Sequence, residues 1–454
     1  MTLLVLLACT AAPGSFGARS PVDQAGQDAR LPLPLVAEAE DLDPAAGALH
    51  VALTAAAGTH SVEGVDQPAD LYNGQVPGPT LHATVGDTLT VDLQNALADS
   101  TTIHWHGIAA PNDMDGVTIL ADPVPAGLGF TYAMSLDHAG TYWYHPHVDT
   151  HHQVDLGLYG VVVVDDPAEP AFDDDLVLVF DAWGEAGAED DANDQGDHHG
   201  VFNPSDFPWT VNGVVDPTWS TTTSRTLRAR LVNTSNTSYL DIAWPGAVRI
   251  AGDQGLLGAT DTPDHVFLAP GDRAEIAWAP IAGDTDVTTT VYVPAGGDAW
   301  EPDVRLFTVH AEDDGAATLP ALGDGAVPTA DDGRTTLTYV FAGGPSEDGD
   351  GWLINGEAWP DVTVESIPLG EPSVIEVRNL SATEHPFHLH GNAFEVLSVD
   401  GVAPASADFE DTVNVPIRSV VRLRLVPTNP GDWLLHCHLL GHEDGGMMTI
   451  LRVE

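Results

Sequence analysis

Four short clusters of histidine carry the chemistry open to this chain. They are His104-Trp105-His106-Gly107, His145-Pro146-His147, His385-Pro386-Phe387-His388-Leu389-His390-Gly391, and His436-Cys437-His438 with His442 and Met447 behind it. Ten of the twenty histidines fall in these clusters, a grouping that scattered surface histidines do not produce. In a β-strand, residues i and i+2 point to the same face. His104 with His106, His145 with His147, His388 with His390, and His436 with His438 can therefore each turn two imidazoles to one side. These four pairs could hold a three-metal cluster, with solvent or oxygen completing the coordination. Cys437 lies between two of the histidines, so its thiolate points the other way, where it can meet His385, His442 and Met447. Two imidazoles, one thiolate and a weak axial thioether make a blue-copper electron-transfer site. The short peptide through Cys437 then joins that copper to the cluster. Zinc is the nearest alternative, since it also takes His and Cys. A thioether ligand and four His pairs do not suit it.

The elements that must position these residues read as strands. The 45 Gly and 34 Pro fall largely between short runs rich in Val, Leu and Thr. One sub-pattern recurs three times, over Gly86–Asn95, Ser224–Asn233 and Glu371–Asn379. Each copy alternates apolar and polar residues, as in Leu89, Val91 and Leu93 against Thr90, Asp92 and Gln94, which predicts a half-buried strand. Each ends in Asn, read here as a turn residue. Tyr72-Asn73-Gly74, Val211-Asn212-Gly213 and Ile354-Asn355-Gly356 echo the repeat. A spacing of roughly 140 residues is too long for a solenoid and suits tandem β-sandwich domains. The expected domains are 46–167, 168–315 and 330–454, with surface loops or linkers near 185–200 and 312–333 and no long helix. Residues 10–45, rich in Ala, Pro, Gly and Asp, read as a flexible tether.

The 454 residues suit about three domains. Acids outnumber bases 68 to 14, a net charge of −54, and every base is Arg. Such a balance disfavours nucleic acid and anionic lipid headgroups as partners, and suits small neutral or cationic substrates better than anionic ones. The plainer reading is a heavily hydrated acidic surface, as in a saline habitat. The two cysteines, Cys9 and Cys437, do not suggest a disulfide framework. Leu3–Ala8 ahead of Cys9 resembles a bacterial lipoprotein signal, so residues 1–9 predict export to the periplasm or cell surface, with Cys9 as the point where a lipid would attach. An ordinary apolar leader is the alternative, since the run is short and no positive residue precedes it. No other stretch is long and apolar enough to span a bilayer.

At this point the residues resemble the multicopper oxidases: laccases, ascorbate oxidase, ceruloplasmin-like ferroxidases and bacterial cuprous oxidases. The resemblance runs over nearly all of residues 50–454. It rests on Asn73–Thr80, on Thr101–Gly107, and on His436–Met447. It implies an all-β chain of three cupredoxin-like Greek-key β-sandwiches holding four copper ions. His385, Cys437 and His442 would hold the type 1 copper, with Met447 axial. His104 and His388 would hold type 2. His106, His145, His147, His390, His436 and His438 would hold the paired type 3 coppers, between the first and third domains. The middle domain lacks such a set and would act as a spacer. Every expected ligand is present, unlike in copper-free relatives or in two-domain copper nitrite reductases. The implied reaction takes one electron at a time from a small reducing substrate and reduces O2 to water. Relatives place proton-donating acids where Asp115 and Glu443 stand.

The substrate is less legible. A laccase-like oxidase of phenols and aromatic amines is the main expectation. A metallo-oxidase of Cu(I), Fe(II) or Mn(II) and a copper-binding scaffold without turnover are the alternatives. Only five Met occur, which tells against a methionine-rich cuprous oxidase. An axial Met suits easily oxidised donors. The acidic stretch Glu189–His199, with His198, His199 and the pair His151-His152, could gather cations, although a solvated loop explains it as well.

Overall fold

The computed structural model describes residues 30–184, 207–290, 303–322, 328–346 and 349–454. The leader with Cys9, the start of the tether and the stretch Glu189–His199 lie outside them. Among the described residues the chain is almost wholly strand, with two short α-helices, Thr150–Asp155 and Leu440–Asp444.

The strands form three successive pairs of sheets, each pair closed over its own apolar core. In the first pair, a sheet of Ala48–Val62, Val65–Tyr72, Thr88–Asn95 and Gly129–Ser135 shares a core with a sheet of Leu81–Thr84, His104–His106, Gly140–His145 and Gly160–Asp165. A seven-stranded and a five-stranded sheet enclose the second core, and a six-stranded and a five-stranded sheet the third. Period-two alternation explains the packing. Along Thr88–Asn95 every second residue is buried, so Leu89, Val91 and Leu93 enter the core. Gly140–His145 is buried on both faces, because Trp143 turns outward into a seam where Val161 and Val163 meet Val179, Val232 and Leu440 of the later parts.

The threefold sequence repeat corresponds to a threefold structural one. Thr88–Asn95, Leu227–Asn233 and Ser373–Asn379 each pair in parallel with the first strand of their part: Ala48–Val62, Asp174–Ala182 and Leu337–Ala342. The Asn-Gly echoes are tight turns in which Asn73, Asn212 and Asn355 have φ of 53°, 52° and 55°, a region Asn tolerates because its side chain bonds locally. Their amides reach back to the same strands, accepting from the N–H of Thr54, Val179 and Val340.

The repeat's terminal asparagines differ from expectation. They are not exposed turn residues: Asn95, Asn233 and Asn379 are each 0% exposed. Each donates to two carbonyls of separate segments, Asp99 and Val124, Ser238 and Leu268, and Thr383 and Val415. Each also accepts an N–H two residues on. They clamp a loop to its sandwich from inside. Asn233→Ala should therefore lower stability by about 2 kcal/mol or more in denaturant unfolding, since it strands buried polar groups. An exposed turn residue would change it by about 0.5 kcal/mol or less.

Residues 30–42 also depart from the tether reading. Leu33 is buried in the middle core, and its N–H donates to Thr218 O at 2.8 Å. Ala39 N–H donates to Thr80 O at 2.9 Å, and Thr80 N–H to Ala37 O at 2.8 Å. One buried leucine and backbone pairing to two sandwiches hold a segment whose composition alone looks unstructured.

Candidate metal centres

Two adjacent antiparallel strands, His385–Leu389 and Gly431–Cys437, contribute to both centres. Phe387 stands opposite Cys437, and His388 opposite His436. Alternation sends Phe387 and Cys437 into the core of the third sandwich, where Met447 is also buried. His388 and His436 go to the other face.

On the core side three ligand atoms converge. His385 Nδ1 lies 3.3 Å from Cys437 Sγ, His442 Nδ1 lies 3.6 Å from it, and the two nitrogens are 3.2 Å apart. A point equidistant from all three is about 2 Å from each, the length of a metal–imidazole bond. His442 comes from the helix Leu440–Asp444. Met447 N–H donates to His442 O at 2.9 Å and Cys437 N–H to Met447 O at 3.1 Å, which folds the loop back over the site. With Nε2–H donating to Ser381 Oγ at 2.8 Å, His385 keeps its Nδ1 lone pair for a metal. Trp352 stacks on His442, ring centroids 3.7 Å apart, and shields it. Burial, then His442, hold the His385 pKa well down, and burial pushes the Cys437 thiol up. Binding a soft cation is what would make that thiol a thiolate.

On the other face eight imidazoles line one buried chamber between the first and third parts. His104 stacks on His390 at 3.8 Å between centroids, and His106 on His388 at 3.7 Å. His145 and His147 pack at their edges, and His436 and His438 complete the ring. Five of these imidazoles have Nδ1 held by a backbone carbonyl or a carboxylate. Nδ1 of His104, His145, His388 and His436 meets the carbonyls of Asp115, Pro146, Asp411 and Cys437 at 2.8–3.0 Å. Nδ1 of His390 meets Asp115 Oδ2 at 2.8 Å. This fixes the tautomer and leaves lone pairs facing inward. Nε2 of His104, His106, His145, His147, His388 and His438 is buried with no hydrogen-bond partner. Each such orphan costs about 1–3 kcal/mol unless something fills the chamber. Burial, reinforced by neighbouring imidazoles, pushes the pKa of His145, His147, His390, His436 and His438 well down, so the rings stay neutral. Buried ligand nitrogens in trios within 4.8 Å of one another, such as His104, His388 and His390, or His147, His390 and His436, fit metal ions.

Both sequence-predicted acids stand at the chamber wall. Asp115 is 0% exposed, with Oδ2 on His390 and Oδ1 3.4 Å from His104 Nδ1. Glu443 Oε1 lies 3.4 Å from His147 Nδ1 and accepts from Thr150 Oγ1 at 3.2 Å, and its Oε2 lies 3.3 Å from His436 Nδ1. Glu443 and His147 also line a cavity of about 210 Å³ that reaches Asp149 and Asp444. His151 and His152, expected in a loop, stand on the helix Thr150–Asp155, with His151 Nδ1 3.7 Å from Asp444. Two wall residues escaped the sequence reading, Asp411 and Arg273. Asp411 Oδ1 lies 3.2 Å from His106 Nδ1, and Arg273, from the middle part, bonds Asp411. Only Arg273 carries a sequence signal, and a weak one: a charged residue in the otherwise largely apolar run Arg273–Trp278.

Patterns of the multicopper oxidase family match residues 54–169 and 330–454. The multicopper oxidase MmcO of Mycobacterium tuberculosis is 30% identical over 428 residues, covering 84% of this chain and 82% of that protein. Among solved structures, a Campylobacter jejuni multicopper oxidase described as a metallo-oxidase superposes with a TM-score of 0.79 at 25% identity, over 93% of this chain and 95% of that one. A multicopper oxidase from Pseudomonas thermotolerans gives 0.74 at 29% identity, over 90% and 100%. The three sandwiches are thus cupredoxin-like, and both terminal ones, where every histidine cluster lies, carry the shared pattern. The chain belongs to the multicopper oxidase family, copper enzymes that couple one-electron oxidation of a reducing substrate to the reduction of O2 to water.

Proposed function

We propose that His385, Cys437 and His442, together with Met447, would hold the copper that accepts electrons. In the same reading His104 and His388 hold the type 2 copper, and His106, His145, His147, His390, His436 and His438 the type 3 pair. The observation that carries this is the opposed facing of Cys437 and His436 on one strand, with His385 and His388 opposed in the same way on its neighbour. When bound, copper would supply one-electron storage, four electrons in all for each O2. The residues do the rest. Cys437 links the two centres through its own backbone. The chamber histidines hold their lone pairs inward and exclude water. Glu443, between His147, His436 and the cavity, delivers protons, and Asp115 does so beside His104 and His390.

The donor is a small, easily oxidised molecule, a phenol or aromatic amine, acting over the His442 edge. A low-valent metal ion is the second reading. One observation favours it: Asp149, His151 and Asp444 bring ligand atoms within 4.8 Å of one another, and Asp444 stands two residues from His442. The Campylobacter relative described as a metallo-oxidase supports it too. Oxygen uptake by copper-loaded protein, first with a phenolic dye and then with Cu(I) or Fe(II), separates the readings. Uptake is expected with at least the phenol. A blue protein that consumes no O2 with any donor would sink the oxidase reading and leave a copper-binding scaffold. Export, with a lipid at Cys9, rests on the Leu3–Ala8 run alone.

A further inference from the structure

We propose that the middle sandwich is a working wall of the histidine chamber rather than a spacer. Through Arg273 and Asp253 it grips Asp411, and Asp411 orients His106 and His388. The inference rests on the chamber being a copper site.

Arg273 opens the strand Arg273–Trp278 and is fully buried. Its guanidinium forks onto Asp411, with Nη1–H donating to Oδ1 at 2.8 Å and Nη2–H to Oδ2. Paired donors of this kind fix position as well as charge. Nε–H donates to Thr141 O at 3.1 Å, so one side chain ties the first, middle and third parts together. Asp253, also of the middle part, braces the same point from the backbone. Its Oδ1 accepts Arg273 N–H at 2.8 Å, and its Oδ2 accepts the N–H groups of Asp411 and Thr412 at 3.2 and 3.0 Å.

Asp411 passes this restraint to two chamber histidines. Its carboxylate lies 3.2 Å from His106 Nδ1, and its carbonyl accepts from His388 Nδ1 at 2.9 Å. Both rings leave Nε2 unpaired in the chamber. A carboxylate behind an imidazole holds the ring's tautomer and direction. Without Arg273, a buried carboxylate would lose its paired charge, and it could not keep that position.

Two glycines record how closely the middle part approaches. At Gly107, φ +87°, an added Cβ would lie 2.5 Å from Arg273 Nη2 and 2.6 Å from Asp411 Oδ2. The glycine after His106 thus leaves room for the clamp. At Gly271, φ +89°, a Cβ would lie 3.0 Å from the His438 ring, so the turn before Arg273 backs a third histidine.

The test uses copper-loaded full chain. Asp411→Asn keeps shape and removes the charge, and Arg273→Gln removes the guanidinium that makes the pairing. Copper per chain, the blue absorption and the type 2 paramagnetic resonance signal are measured during dialysis against a chelator. Both variants should keep the blue absorption while losing chamber copper 10–100-fold more readily, with an altered type 2 signal. Arg230→Gln is the control. Arg230 is an equally buried clamp between the first and middle parts, to Asp165 and Asp175, and touches no chamber histidine. Wild-type copper retention and signal in both test variants would overturn the proposal. Equal copper loss in Arg230→Gln would also overturn it, by reducing Arg273 to a general strut. If Arg273→Gln does not fold, Asp411→Asn decides alone. A wild-type chain that binds no chamber copper would instead refute the copper reading itself.

Discussion

Cys437→Ser abolishes the blue absorption and all donor-driven oxygen uptake, lowers the copper content by one ion per chain, and leaves copper in the histidine chamber. The thiolate is the one soft anionic ligand in a pocket whose other ligand atoms are His385 Nδ1 and His442 Nδ1, at 3.3 and 3.6 Å from Sγ. A serine hydroxyl does not ionise there, and two imidazoles with a thioether form a weak site without an anion. The chamber should survive because His436 and His438 face away from the substitution and are held from elsewhere. His436 Nδ1 is bonded to the backbone carbonyl of residue 437, and His438 N–H donates to Pro386 O at 2.7 Å. The new hydroxyl sits in an apolar core and should cost about 1–3 kcal/mol of folding stability. Retained intense blue absorption would refute the ligand assignment. Loss of all copper would refute the independence of the two centres.

That prediction could be written from the sequence, because a strand's period of two is a local property. Knowing only that His436-Cys437-His438 is extended is enough to part the cysteine from its neighbours. The same holds for His385 and His388 and for the alternating strand Thr88–Asn95. What escaped depends on partners far along the chain. The asparagines 95, 233 and 379 were visible as a repeat, but their burial depends on carbonyls supplied by other segments, as when Asn95 reaches Val124. Asp411 is one acid among 68 and Arg273 one base among 14, and neither spacing nor alternation marks them. Only the assembled seam shows that Arg273 lies against a residue 138 positions away. Leu33 makes the same point for the tether, since a single buried side chain outweighs the composition around it.

The middle sandwich therefore holds a different place in the chain from the one its lack of histidines suggests. An acidic chain with 14 arginines commits three of them, Arg228, Arg230 and Arg273, to buried pairs along the middle part's inner sheet. Arg228 and Arg230 share Glu275, which also accepts from Thr141 Oγ1 at 2.6 Å. Thr141 in turn gives its carbonyl to Arg273. One strand of the first sandwich, Gly140–His145, thus meets the middle one through buried polar contacts at Thr141, near its start.

Glu443→Gln should slow oxygen reduction roughly 10²–10⁴-fold while leaving the reduction of the blue copper by donor intact. The residue is 1% exposed and lies within 3.4 Å of chamber histidines on both sides, His147 and His436. Burial first, and Asp444 second, push its carboxyl well above the usual range, which favours a carboxyl that carries a proton to give. Glutamine keeps the shape and can still bond Thr150, so the helix Leu440–Asp444 and His442 stay in place, but it has no proton of suitable acidity. The imbalance gives a direct signature. Electrons would arrive at the normal rate and leave slowly, so under air with excess donor the blue colour should bleach in the steady state, where the unaltered enzyme stays blue. Stopped-flow mixing of the reduced variant with O2 measures the slow step itself. Turnover at the normal rate would remove Glu443 from the proton path, and the cavity it shares with Asp149 and Asp444 would then have no proton-delivering residue at the chamber wall.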